Sequence, residues 1–292
     1  MATTADWVEG ARLRTLPAAI SPVLAGTGLA VFAGGPVWWK ALLALVVAVA
    51  LQVAVNYAND YSDGVRGTDA QRVGPMRLVG SGAATPKQVK GAAIAAFAVA
   101  AAAGLAIAGT TAWWLLALGA AAMLAAWFYT GGSRPYGYRG LGEVSVFVFF
   151  GLVAVVGTTY AQLRTVPAQS LLIGCGVGAL ACAILVVNNL RDIPTDRDSG
   201  KHTLAVRFGD RAARQLYLWL LVSAYAVVVA AGATLTWWAL VAFVSLPLSV
   251  RAALAVRRGT TGLALVGALR DTGLAELTYA AGLLAGLVVA LT

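Results

Sequence analysis

Two clusters of carboxylates and amides interrupt an otherwise apolar chain: Asn56, Asn59, Asp60 and Asp63 in the first, and Asn188, Asn189, Asp192, Asp196 and Asp198 in the second. Each closes a long apolar segment. Carboxylates at the end of a membrane helix are costly unless they line a polar cavity, pair with cations or hold metal. Asn56, Asp60 and Asp63 are spaced i, i+4 and i+7, so a helix that continues to residue 63 carries all three on one face. Mg²⁺ prefers oxygen ligands and is commonly held by one or two carboxylates together with the phosphate oxygens of a substrate. Two clusters of this composition point to one divalent-metal site, with Asp69 arriving from the loop after the first. In the second cluster Pro194 is expected to disturb the helix, so that Asp196 and Asp198 project from a turn.

Cations surround both clusters. Arg66, Arg72, Arg77, Arg134, Arg191, Lys201 and Arg207 fall within or beside the two acidic loops or the 131–142 connection. The planar fork of arginine suits phosphate oxygens. Acids for a metal next to bases for phosphate are together more specific than either alone, and they describe a diphosphate site. The turn-rich stretch from Tyr129 to Gly140 carries no P-loop lysine pattern. His202 is the single histidine, which excludes a multi-histidine metal site. No Ser/His or Cys/His arrangement for nucleophilic catalysis is apparent. Cys175 and Cys182, seven apart, read as small packing residues on one helix face.

The elements that position these groups are membrane spans. Of 292 residues, 60% are hydrophobic and 11% charged, against about 25% charged in a typical soluble domain. Apolar runs of roughly 20 residues, enough to cross a hydrocarbon core, are expected at 17–34, 38–58, 91–109, 112–131, 142–160, 168–190, 213–232, 234–255 and 272–291. The fold class is therefore all-α, a polytopic membrane protein of nine spans in a single domain, 1–292. With the N-terminus inside, every one of the 21 Lys and Arg residues except Lys40 and Arg164 falls on the cytoplasmic side, as the retention of positive charge there requires. The C-terminus is then expected outside, in the inner or plasma membrane. Residues 1–16 carry Asp6 and Glu9 and do not read as a cleavable signal peptide. Net charge is +9 and pI about 9.9. This topology and attraction to anionic lipid account for it, and a nucleic-acid partner is not implied.

Connections on the outer side are short, whereas 59–90 and 191–212 are long and polar, which places the chemistry on the cytoplasmic face. Asn56 and Asp60 recur as Asn188 and Asp192 at the inner end of a like-oriented span, an internal echo that transporters can also show. Glu143 and Glu276 lie near inner span ends and either line the cavity or snorkel to the interface.

The residues resemble the UbiA-type intramembrane prenyltransferase superfamily. The resemblance rests on Ala11 to Ala19, Asn56 to Asp69, Gly74 to Gly82, Tyr129 to Glu143 and Asn188 to Val206, in that order. Within the superfamily the match is closest to the subgroup that prenylates 1,4-dihydroxy-2-naphthoate in menaquinone synthesis. It implies nine helices around a central cavity open to the cytoplasm and laterally to lipid. It also implies Mg²⁺ held by Asp60, Asp63, Asp192 and Asp196, with Asp69 in the first motif, and these carboxylates as the catalytic set. Polyprenyl diphosphate is then bound by Asn56, Asn59, Arg66, Arg77, Arg134, Arg191 and Lys201. Arg12, Arg14 and Asn188 are the candidates for orienting the carboxylate of the acceptor. Tyr57, Tyr61, Phe147, Phe150 and Tyr160 are aromatic candidates for stabilising an allylic cation. Two departures stand out. Asp69 follows Asp63 by six residues where many members place an aspartate after four, and Ser133 stands where a Tyr-x-x-x-Lys element has lysine, leaving Arg134 as the neighbouring charge. The rival readings are prenyl transfer to another aromatic acceptor such as 4-hydroxybenzoate, and ion-coupled transport.

Overall fold

The computed structural model describes residues 2–67 and 76–292, which form helices and no strand. In chain order these are α1 (Thr4–Ala11), α2 (Pro17–Phe32), α3 (Trp38–Arg66), α4 (Pro86–Thr110), α5 (Leu115–Phe128), α6 (Gly142–Leu163), α7 (Ala168–Asp198), α8 (Leu204–Thr234), α9 (Trp237–Arg257) and α10 (Gly262–Val289). Among the described residues seven helices are long and apolar enough to cross a membrane. An eighth span forms if the segment Thr4–Thr15 and α2, bent by 49°, count together. This is a multi-pass membrane protein. The segment expected at 112–131 forms α5, 14 residues long, which at 1.5 Å per residue is about 21 Å, short of the roughly 30 Å hydrocarbon core.

α7 is the central helix, with 72% of its most apolar window buried; it packs on α2, α6, α8 and α10. Lipid offers no hydrophobic drive for helix pairing, so close packing depends on small residues that let backbones approach. Gly151 of α6 meets Gly178 of α7 so closely that a Cβ at Gly151 would lie 2.5 Å from the Gly178 Cα. On α10, a Cβ at Gly286 would lie 2.0 Å from the Trp238 carbonyl oxygen of α9. Gly286→Val is therefore expected to force these helices apart at a cost of about 1–3 kcal/mol, read as a lower unfolding temperature in detergent; an unchanged temperature would refute the close contact.

One end of the bundle carries the acidic clusters. At the opposite end the two cations set apart by the charge pattern meet: Lys40 donates to the Thr110 carbonyl (3.3 Å), Thr111 Oγ1 (2.8 Å) and the Ala161 carbonyl (3.0 Å), and Arg164 donates to the same Thr110 carbonyl (2.7 Å). Three exposed tryptophan pairs, Trp38–Trp39, Trp113–Trp114 and Trp237–Trp238, open α3, lead into α5 and open α9 at this end. Amphipathic rings of this kind favour the membrane interface.

Candidate active site

The first cluster sits where α3 runs unbroken to Arg66 before Gly67 caps it in the left-handed region (φ 74°). Asn56, Asp60 and Asp63 therefore share a face, as their spacing predicts. Their surroundings differ. Asn56 donates to the Ala11 carbonyl (2.9 Å) and Thr15 Oγ1 (3.0 Å), and Gln52, one turn earlier, donates to Thr15 Oγ1 (2.9 Å) and Asn56 Oδ1 (3.3 Å). This amide pair anchors the segment that carries Arg12, itself left-handed at φ 55°, and Arg14. Asp60 accepts from the backbone amides of Leu78 (2.8 Å) and Val79 (3.0 Å). Gly64 makes room for the same turn, since a Cβ there would lie 2.4 Å from Val79 Cγ1. The turn in this way brings Arg77 to 3.6 Å from the Asp63 carboxylate. Asp63 also pairs with Lys201 (3.2 Å) and accepts a hydrogen bond from the Tyr138 hydroxyl.

The second cluster departs from the expected turn. α7 continues through Pro194 to Asp198, so Asp192 and Asp196 are i and i+4 on one helix face rather than on a turn. A proline removes one N–H and crowds the preceding turn; here the end of α7 is held from outside. The Lys201 amide donates to the Asp196 carbonyl (2.8 Å) and the His202 amide to the Tyr138 carbonyl (2.8 Å). The same contacts set Lys201 over the Tyr138 ring, 4.7 Å from its centroid. Arg191 grips Asp192 with two nitrogens (2.6 and 2.7 Å) and reaches Asn188 Oδ1 (2.9 Å), a bidentate, charge-assisted contact.

The Gly-rich connection forms a third wall. Gly137 is required there, because a Cβ would lie 2.6 Å from the Tyr129 carbonyl oxygen. Thr130 donates to Asn59 Oδ1 (2.7 Å), and Tyr136 donates to the Ala125 carbonyl (2.7 Å). Burial, and behind it the Glu143 carboxylate, pushes the Tyr129 phenol well above its ordinary range. Burial likewise raises Tyr136, against a lowering bond from Ser145. Both phenols are neutral hydroxyls at physiological pH.

These walls enclose a cavity of about 410 Å³. Its polar end is lined by Arg12, Arg14, Asn56, Asn59, Asp63, Arg77, Asn188, Asp192, Asp196 and Lys201, all of them site candidates from the sequence. A small recess beside it adds Arg191. Asp60 lies behind the wall, 1% exposed. Arg66 and Arg134 are not brought in. The Arg66 guanidinium binds the carbonyls of Thr130 and Gly132, where it ties α3 to the Gly-rich connection, and Arg134 is exposed outside the cavity. Asp69 and Arg72 lie outside the described residues. Glu143 and Glu276 neither line the cavity nor snorkel: both are buried between helices, Glu143 accepting from Asn189 (3.0 Å). Of the aromatic candidates Phe150 lines the cavity; Tyr57 packs on Trp7, Tyr61 on Trp127 and Tyr160 on Trp114. Gln52, Thr15, Thr130, Tyr129, Tyr136 and Tyr138 join the site through contacts between elements. For Gln52 a signal existed, a polar amide one turn before Asn56 inside an apolar span.

Among the described residues no three His, Cys, Asp or Glu side chains are already gathered as a metal cluster. The donors at the polar end are nonetheless oxygens from carboxylates and amides on two helices, the chemistry that a hard divalent cation takes. Asp63 and Asp192 are paired with cations.

The structure is a helical membrane bundle with acidic and basic groups at one end of an apolar cavity, and the UbiA prenyltransferase family model matches residues 19–270. The chain belongs to that family. A 1,4-dihydroxy-2-naphthoate octaprenyltransferase of Mycobacterium tuberculosis is 56% identical over 280 residues, covering 96% of either chain. One of Escherichia coli is 41% identical over 232 residues, 75% of this chain and 73% of the relative. Among solved structures, the apo form of a UbiA homolog from Aeropyrum pernix superposes with a TM-score of 0.66 at 20% identity, covering 94% of this chain and 98% of that one. A UbiA homolog from Archaeoglobus fulgidus bound to DMAPP and Mg²⁺ gives 0.61 at 17%, covering 97% and 99%. At these identities the two structures establish the shared fold.

Proposed function

We propose that the protein transfers a polyprenyl chain from polyprenyl diphosphate to 1,4-dihydroxy-2-naphthoate, releasing CO₂ and diphosphate and giving demethylmenaquinol, the hydroquinone that molecular oxygen then oxidises to demethylmenaquinone. The observation that carries this reading is the shape of the charge in the cavity: carboxylates and cations at one end, apolar walls along the rest, the polarity of a prenyl diphosphate. The names of relatives identical at 56% and 54% over nearly the whole chain supply the acceptor.

In this reading Asp63, Asp192 and Asp196, with Asp60 behind them and with Asp69 of the first motif, would hold Mg²⁺. The metal supplies charge neutralisation for the leaving diphosphate. Arg77 and Lys201 now face Asp63, and these cations, with Arg191 and the amides of Asn56 and Asn59, meet the phosphate oxygens as the bond to the allylic carbon breaks. The Tyr138 hydroxyl, which donates to Asp63, lies beside them. Phe149 and Phe150 line the cavity and are the aromatic candidates for stabilising the allylic cation. Arg12, Arg14 and Asn188 surround the small recess and hold the acceptor carboxylate there. The ring carbon that bears this carboxylate bonds to the prenyl carbon, and CO₂ leaves. The N-terminus and the polar mouth face the cytoplasm and the C-terminus the outside, with nine spans when the bent pair and the short α5 are both counted. The distribution of Lys and Arg supports this sidedness.

The test is incubation of the purified protein with 1,4-dihydroxy-2-naphthoate, a polyprenyl diphosphate and Mg²⁺, with EDTA as control and mass spectrometry as readout. Demethylmenaquinol, together with the quinone that air makes from it, formed only with metal is the expected result. Prenylation of 4-hydroxybenzoate instead would keep the site and change the acceptor. No diphosphate release with any acceptor would reject the reaction in favour of transport.

A further inference from the structure

The cavity continues far past the polar end. From Asp63 to Ala44 its lining along α3 covers about 28 Å at 1.5 Å per residue, and beyond it the hydrogen bonds of Lys40 tie the ends of α3, α4 and α6. Three helical glycines line the distal half: Gly104 of α4, Gly119 of α5 and Gly157 of α6. Gly119 lies about 15 Å of helix beyond Tyr129, and Gly157 about 18 Å beyond Ser145.

Glycine inside a helix costs about 1 kcal/mol relative to alanine, and this chain uses alanine freely. Close helix packing is the usual return in a membrane, and it explains Gly151 and Gly286. It does not explain these three, because a Cβ built on Gly104, Gly119 or Gly157 would meet no atom within 4 Å. What the missing methyl groups leave is open cavity. Three glycines on three helices, each with free space ahead of it and all on one apolar arm, make the arm wider without bringing the helices closer.

We infer that Gly104, Gly119 and Gly157 set the longest prenyl chain this protein turns over efficiently, by keeping open an internal path for the tail that runs down the bundle toward Lys40. The inference rests on the prenyl-transfer reading above and adds the determinants of donor length. A bulky side chain at one of these positions narrows the path below the first few isoprene units. It penalises a long donor and leaves the reacting end of a short one in place.

The experiment compares kcat/KM for octaprenyl diphosphate and for geranyl diphosphate with the same acceptor, in one preparation, so that the fraction of active protein cancels in the ratio. In Gly119→Leu and Gly157→Leu the octaprenyl to geranyl ratio is expected to fall at least about tenfold, the scale of discrimination by apolar pockets. A graded series at Gly119, through Ala and Val, keeps the test readable if leucine impairs folding, and its ratio falls with side-chain volume. Gly91→Leu, which also meets open space but lies outside the cavity, is expected to leave the ratio unchanged. An unaltered ratio in the Gly119 and Gly157 variants would overturn the inference and place the tail outside the distal arm. An equal loss for both donors would do the same, marking the glycines as structural. If the wild-type protein turned over neither donor, the prenyl-transfer reading itself would fall and the inference with it.

Discussion

Asp63→Asn is expected to lower prenyl transfer by at least a factor of about 10² in a protein that still folds and extracts normally. Asp63 is the residue on which the three walls converge: it meets Arg77 from the turn after α3, Lys201 from the loop after α7 and Tyr138 from the Gly-rich connection. Asparagine keeps the volume and can still accept from Tyr138 through its amide oxygen. It loses the negative charge that holds the two cations and, in the proposed reaction, the metal. Turnover measured against Mg²⁺ concentration, beside the unfolding temperature in detergent, separates chemistry from folding. Wild-type turnover at limiting Mg²⁺ would remove Asp63 from the metal site.

Asp60→Asn is expected to cost as much turnover and to leave a second mark. The Asp60 carboxylate accepts two backbone amides, whereas the NH₂ group of asparagine would face one of them donor to donor. A buried donor left unsatisfied costs about 1–3 kcal/mol, which here loosens the turn that carries Arg77. Amide exchange of residues 76–84 is expected to accelerate in this variant and to stay slow in Asp63→Asn. Lost turnover with unchanged exchange would assign the whole effect of Asp60 to the metal, and full turnover would exclude both roles.

Much of the site was legible in the chain because it depends on spacing within single helices. Asn56, Asp60 and Asp63 fall on one face whatever surrounds them, and the cations Arg77, Arg191 and Lys201 could be placed by their nearness in sequence to the acids. Contacts between elements could not be read in this way. Nothing local to Arg66 says that its guanidinium serves the carbonyls of Thr130 and Gly132, and nothing local to Arg134 says that it points away. Pro194 misled for a related reason. The local rule is a broken turn, but the amides of Lys201 and His202 and the buried Arg191–Asp192 pair hold the helix to its end. Eight of the nine expected apolar segments are present at spanning length, counting the bent pair with α2; hydropathy alone did not foresee that α5 would stop at Phe128, where the backbone turns into the cavity wall.

α6 changes its winding partway, from α-helix over Gly142–Val146 to π-helix over Phe147–Val153 and back over Ala154–Leu163. Wider turns absorb residues that an α-helix could not, so the two ends of α6 share an axis but not a rotational phase. The near end, with Glu143 and Ser145, is fixed by Asn189 and Tyr136. The far end, with Gly157 and Ala161, can face the distal arm independently. Sequence change in the far half is in this way insulated from the reacting end, which gives the scaffold room to evolve a new tail preference without disturbing the chemistry.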